Sequence, residues 1–130
     1  MIVLDASALV ELLLNTTAGR LVADRMRDPA VSVHIPHLAD IEVTEALRRY
    51  AAAGDLGPDA AASALRDLRE LDLERHAHEP LLPRVWELRR NLSAYDAIYV
   101  ALAEVLDAPL LTCDRRLSRA PGVTARIQVV

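Results

Sequence analysis

The chain has 130 residues, the length of one domain, and a domain of that size buries about two-thirds of the surface its unfolded chain exposes. With 52% hydrophobic residues and a single cysteine, Cys113, it needs no disulfide or metal staple to fold, and a reducing compartment fits. The net charge of −4 argues against binding nucleic acid by bulk charge alone; all 15 basic residues are arginine and the four glycines form no GxGxxG or GxxxxGK[ST], which excludes a P-loop ATPase, Schiff-base chemistry and any phosphoryl site that needs a lysine.

The opening IVLD (2–5) reads as a buried strand ending at Asp5. A helix follows from Ala6 to Leu14, with Leu9, Leu12 and Leu13 on one side. A second helix runs from Ala18 to Arg27 and stops at Asp28-Pro29. Val31–Ile35 is the second strand, closed by Pro36. The helix from His37 to Ala53 directs Leu38, Ile41, Ala46, Leu47 and Tyr50 to the core, and Gly54 ends it. Pro58 and Asp59 open a helix to Leu71 with Leu65 and Leu68 inward, and Leu73–His76 is a short third strand. Pro80–Arg90 and Ser93–Leu106 are two further helices; Pro109–Thr112 is the fourth strand, Asp114–Arg119 a helical turn, and Arg126–Val129 the fifth strand. Strands alternating with helices predict an α/β domain spanning 1–130, a parallel sheet of about five strands flanked by helices on both faces. Ligands bind such sheets beyond the carboxyl ends of the strands, where the strand order reverses. The apolar N-terminus has no basic leader, Asp5 and Glu11 interrupt it, and no apolar run reaches a membrane span; a cytoplasmic chain without a membrane partner is expected.

Four acids carry the chemistry. Asp5 and Asp114 close the first and fourth strands, and each is also placed to cap the helical turn after it. Ser93 and Asp96 stand at capping-box spacing. Glu42 lies at the edge of the apolar stripe of its helix, within two turns of the second strand. Taken singly, each has an ordinary structural reading. Taken together, they stand around the cleft of a doubly wound sheet, where uncompensated carboxylates repel one another. A divalent cation removes that repulsion. Oxygen-only ligands select Mg²⁺ or Mn²⁺, which activate a water and hold both oxygens of a phosphodiester in an in-line displacement.

The segments IVLDASALVELLL, PHLADIEVTEALRR and SAYDAIYVALAEVLDAPLLTCDRRLSRAPGV together resemble the PIN-domain ribonucleases, and more closely the VapC toxins of VapBC toxin–antitoxin pairs. The resemblance runs from Ile2 to Val123, and its most specific block is SAYDAIYVALAE with LLTCDRRL. It implies a PIN fold and an RNA-cleaving toxin whose metal ligands are Asp5, Glu42, Asp96 and Asp114. Ser7 and Thr112 match polar residues beside those acids and take a supporting role. It further implies a homodimer and a VapB-type antitoxin laid in a groove beside the apolar helix Ala8–Leu14, where Leu13 is expected to face the partner. Arg48, Arg49, Arg115, Arg116 and Arg119 follow the acids along the chain and lie where an RNA backbone would pass. Two other classes use similar acids. A receiver or haloacid-dehalogenase-type phosphatase needs a lysine, and the phosphatase needs an aspartate at Ser7; a non-catalytic PIN-fold interaction module does not need an intact acid set.

Several residues are set aside. Glu45 and Glu11 line a pocket rim or sit in solvent. His34 and His37 form an HxxH pair without a partner at zinc spacing, and His76 and His78 alternate. Cys113 points away from the acids as packing. Trp86 and Tyr95 stack on bases or, for Trp86, pack against Leu82, Arg89 and Arg90.

Overall fold

The computed structural model describes residues 1–130. Each strand is three or four residues long: β1 (Ile2–Leu4), β2 (Val33–Pro36), β3 (Glu74–His76), β4 (Leu110–Thr112) and β5 (Ile127–Val129). The helices are α1 (Ala6–Leu13), α2 (Thr17–Met26), α3 (Leu38–Ala52), α4 (Pro58–Glu70), α5 (Leu82–Glu87) and α6 (Ala94–Val105). Short 3₁₀ turns at Glu79–Leu81 and Leu117–Arg119 complete the set. The one element that departs from the sequence reading is the helix expected over 80–90. Pro80 and Pro83 lack the amides a helix needs, so the segment starts as a 3₁₀ turn and leaves only six residues of α-helix in α5.

All five strands pair in parallel, in the order β3-β2-β1-β4-β5. The chain first moves outward from β1 to β3, then returns to β4 on the other side of β1. With right-handed crossovers this reversal puts α1–α4 on one face and α5–α6 on the other. Side chains agree. Arg75 of β3 pairs with Asp40 of α3 and donates to the Leu68 carbonyl of α4, while α6 packs on β1, β2 and β4. The order reverses between β1 and β4, so the carboxyl ends of these two strands open the cleft.

One core joins both faces. Val3, Leu4, Leu110 and Leu111 are fully buried in the central strands, and Ala97 to Ala103 form an unbroken buried run through α6. Inward positions on α3 are Ala39, Val43 and Leu47 rather than Ile41 and Tyr50, which are exposed; on α4 they are Ala64 and Leu68 rather than Leu65. Both helices are rotated about their axes from the orientation expected, so that the small residues Ala39 and Ala64 meet the core. Gly19 lets α2 cross α1 closely, because a Cβ there would lie 1.9 Å from the Glu11 carbonyl oxygen. At the far end Arg84 of α5 pairs with Glu104 of α6 and reaches the Gly122 carbonyl, while Glu104 also accepts from the Thr124 amide. These bonds tie the loop before β5 to both helices. No helix is long and apolar enough to cross a membrane.

Candidate metal-carboxylate site

Asp5 leaves β1 and becomes the N-cap of α1. Its Oδ1 accepts from the Ala8 amide at 2.9 Å and from the Ser7 hydroxyl at 2.6 Å. Its Oδ2 accepts a short hydrogen bond from the Thr112 hydroxyl at the end of β4. Ser7 Oγ in turn accepts from the Cys113 amide, and Thr112 Oγ1 from the Asp114 amide, each at 2.9 Å. Two hydroxyls thus stitch the end of β1 to the end of β4, and Asp5, only 6% exposed, is held between them. The capping role and a role in a site coexist in this residue.

The remaining acids come from three other elements. Glu42 is half-buried on α3, and its Oε2 accepts from the Tyr99 hydroxyl of α6 at 2.9 Å. Asp96 sits in the first turn of α6, and its amide donates to Ser93 Oγ at 3.2 Å, which forms half of the capping box. No protein group donates to its carboxylate, so the side chain remains available. Asp114 follows β4 and takes the Arg116 amide and guanidinium on its oxygens at 2.7–3.1 Å.

The electrostatics tie three of the acids together. Burial pushes the Asp5 carboxyl above its usual range; Ser7, Thr112 and the Ala8 amide oppose this, and the charge on Asp96 adds to it. Burial also pushes Glu42 up, against the Tyr99 hydrogen bond and with the charges of Asp96 and Asp5. Arg116 does the reverse for Asp114 and holds it below the ordinary carboxylate range. Burial and the charge of Glu42 raise the Tyr99 phenol, which keeps it a donor.

The acids do not converge on one cavity. Glu42 and Ser7 border a cleft of about 500 Å³ between α1 and α3, together with Glu11, Glu45, Ile41 and Tyr95. Asp96, Asp114 and Arg116 border a second of about 360 Å³. Asp96 is the link, since its charge raises both Asp5 and Glu42. The donor set fits a hard dication: all four groups are carboxylates, and two of them, Asp5 and Glu42, carry a penalty, chiefly from burial and further from neighbouring negative charge, that a cation would offset.

Most of the neighbouring residues fall where the sequence put them. Glu45 and Glu11 do line the rim; Glu45 also binds Arg48, and Glu11 accepts from Thr16. Arg48 is thereby engaged within α3, and Arg116 is engaged with Asp114, whereas Arg49, Arg115 and Arg119 are exposed and form no ion pair. Trp86 is 67% exposed and packs against Arg89, whose guanidinium lies 4.6 Å from its ring centre, as its helical spacing suggests. Leu13, expected to face a partner groove, is half-buried against the core; the open groove lies on the other flank of α1, toward α3. The residue the sequence reading passed over is Tyr99. Its signal was its spacing of three from Asp96, which puts both on one face of α6.

The model of the PIN domain family matches residues 2–123. The chain is 42% identical over 129 residues to ribonuclease VapC1 of Mycobacterium tuberculosis, covering 98% of this chain and 96% of that one. It is 44% identical over 132 residues to ribonuclease VapC9 of the same species, covering 100% and 98%. Among solved structures, VapBC2 of Rickettsia felis, bound to a DNA fragment from its promoter, superposes with a TM-score of 0.73 at 15% identity over 99% of this chain and 98% of that one. At that identity the likeness concerns the fold.

Proposed function

Because the chain belongs to the PIN domain family, in its VapC ribonuclease branch, we propose that it is the RNA-cleaving toxin of a toxin–antitoxin pair and that Asp5, Glu42, Asp96 and Asp114 hold its divalent metal, Mg²⁺ or Mn²⁺. The observation that carries the assignment is the linked burial of Asp5, held by Ser7 and Thr112 and coupled by charge to Glu42 and Asp96. Such an arrangement costs stability in the absence of a cation, and a purely structural cap does not need it.

When bound, a divalent cation lowers the pKa of a water and stabilises charge developing on a phosphodiester. The chain's own groups do the rest. Ser7 and Thr112 fix the Asp5 oxygens by donating to one each, so neither can rotate away. Tyr99 does the same for one Glu42 oxygen and leaves the other free. Asp96 keeps its carboxylate unengaged and accessible at the start of α6. Arg116 shields Asp114 and is 87% exposed, so it can leave that carboxylate for a phosphate oxygen. Arg49, Arg115 and Arg119, free of ion pairs, are the remaining phosphate contacts; Arg48 is held by Glu45 and contributes less. Tyr95, 64% exposed at the mouth of the cleft, offers a ring to an unstacked base.

The partner is a VapB-type antitoxin. The cleft between α1 and α3 exposes Ile41 at 68% beside Glu11, Glu42 and Glu45, which suits an apolar helix or tail carrying an arginine toward the acids. A homodimer and a cytoplasmic location accord with this role. The test is to sequence RNA ends after brief expression of the chain and of its Asp96→Asn variant. Discrete new ends with the first and none with the second support the assignment. Identical end profiles for the two refute it.

A further inference from the structure

The only three histidine, cysteine, aspartate or glutamate side chains whose ligating atoms all lie within 4.8 Å of one another are not among the four acids of the cleft; they are His34, Glu74 and His76. The sheet register explains the cluster. His34 of β2 pairs with Glu74 of β3, and Pro36 with His76, so the three side chains alternate onto the same face. That face is opposite Arg75, which points to α3 and α4; the cluster therefore lies on the α5–α6 side, at the edge strand.

The atoms are arranged as ligands are. His34 Nδ1 lies 2.9 Å from His76 Nε2 and 3.6 Å from a Glu74 carboxylate oxygen. A tetrahedral ion with metal–nitrogen bonds of about 2.0–2.1 Å separates neighbouring donors by about 3.3 Å, between those two values. The far nitrogen of His34 is also provided for: Nε2 is 2.9 Å from Ser32 Oγ. With that N–H directed to the serine, the Nδ1 lone pair faces His76 and Glu74, which is the outer-partner arrangement of a metal-bound imidazole. On binding the ion, His34 Nδ1 and His76 Nε2 would exchange their present contact with each other for the metal, the His76 proton then being carried on Nδ1. The other two histidines do not compete. His78 Nε2 accepts from the Leu38 amide at the start of α3, and His37 is exposed. Glu74 is 63% exposed, so the site has an entrance and a position for a water.

We propose that His34, His76 and Glu74 bind one transition-metal dication of the Zn²⁺ class. Two imidazoles and one carboxylate select Zn²⁺, Ni²⁺ or Cu²⁺ over Mg²⁺, so this ion differs from that of the carboxylate cleft. The ion clips β3, the three-residue edge strand, to β2. It shares no ligand with the four acids, and its test stands apart from the ribonuclease reading.

The experiment is titration of the metal-stripped protein with Zn²⁺, and separately with Co²⁺ as a chromophore, in excess Mg²⁺. Calorimetry gives the stoichiometry, and thermal unfolding gives the shift in midpoint. Expected are one ion per chain, a higher midpoint with Zn²⁺, and a Co²⁺ spectrum of nitrogen-containing tetrahedral type. His76→Gln and Glu74→Gln, both at accessible side chains, should fold and should lose the ion or weaken its binding at least about tenfold. Asp96→Asn should bind as the parent does. No binding by the parent, binding unchanged in His76→Gln and Glu74→Gln, or binding lost in Asp96→Asn overturns the proposal.

Discussion

Replacing Asp5 with asparagine separates the two roles of this side chain. As the cap of α1 it accepts from the Ala8 amide, and asparagine caps a helix about as well as aspartate, so this part of the change costs close to zero. As a buried anion it bears a penalty: burial raises its folded-state pKa above the ordinary 3.8 of an aspartate, with Asp96 adding to the rise and three hydrogen bonds opposing it. Between the ordinary and the raised value the folded chain holds a proton that the unfolded chain has lost. Stability therefore falls as pH rises through that window and stays lower above it. Each unit of elevation corresponds to about 1.4 kcal/mol. Against this relief stands the hydrogen bond from Thr112, whose loss or reversal costs about 1 kcal/mol. Asp5→Asn in EDTA is therefore expected to lie about 1 kcal/mol below the parent near pH 4, where only the Thr112 bond is lost, and to gain on the parent as pH rises to 7. RNA cleavage in Mg²⁺ should fall by more than about 100-fold, beyond the loss typical of an outer partner of a metal ligand. Circular-dichroism melts at the two pH values and cleavage of a labelled single-stranded RNA measure both. A variant whose Tm does not gain on the parent's between pH 4 and pH 7, or that retains substantial cleavage, refutes the reasoning.

Other residues give distinct readouts. Tyr99→Phe removes the donor to Glu42, so the acidic limb of the pH–rate profile should move to higher pH, with a stability loss of about 1 kcal/mol in urea unfolding. Arg116→Gln frees Asp114, and the Mg²⁺ concentration for half-maximal cleavage should fall about two- to fivefold, the range expected for an exposed pair. Glu104 is pulled down to about 2 by Arg84 and Thr124 although burial opposes this, so its contribution is full above its ordinary 4.5 and is lost as pH falls toward about 2. Glu104→Gln should accordingly lose about 2 kcal/mol at pH 7, measured by urea unfolding, and the gap to the parent should close near pH 2.

The order of elements was legible because short apolar runs bounded by proline, glycine and aspartate read the same locally and in the sheet. The orientation of two helices was not. Ile41, Tyr50 and Leu65 are the larger apolar side chains, yet Ala39, Val43 and Ala64 face inward, since close packing on α1 and the sheet favours small residues. The segment over 80–90 holds less α-helix than its sequence suggests, because Pro80 and Pro83 start it as a 3₁₀ turn and the α-helix ends at Glu87. At the site, Asp5, Glu42, Asp96 and Asp114 were placed by strand ends and helix starts, which spacing reveals. Spacing places Tyr99 on the face of Asp96, but its bond to Glu42 joins two helices distant in sequence, and the His34–Glu74–His76 cluster depends on strand register, which local spacing does not reveal.

We propose that this chain cuts RNA with a divalent metal held by its four carboxylates. The most direct test is cleavage of a labelled RNA by the protein freed of any partner, first with Mg²⁺ or Mn²⁺, then with EDTA, then with the metal restored in excess. Expected are cleavage, its loss and its recovery, with Asp96→Asn inactive throughout and folded by circular dichroism. Cleavage that persists in EDTA, or in folded Asp96→Asn, would contradict the proposal.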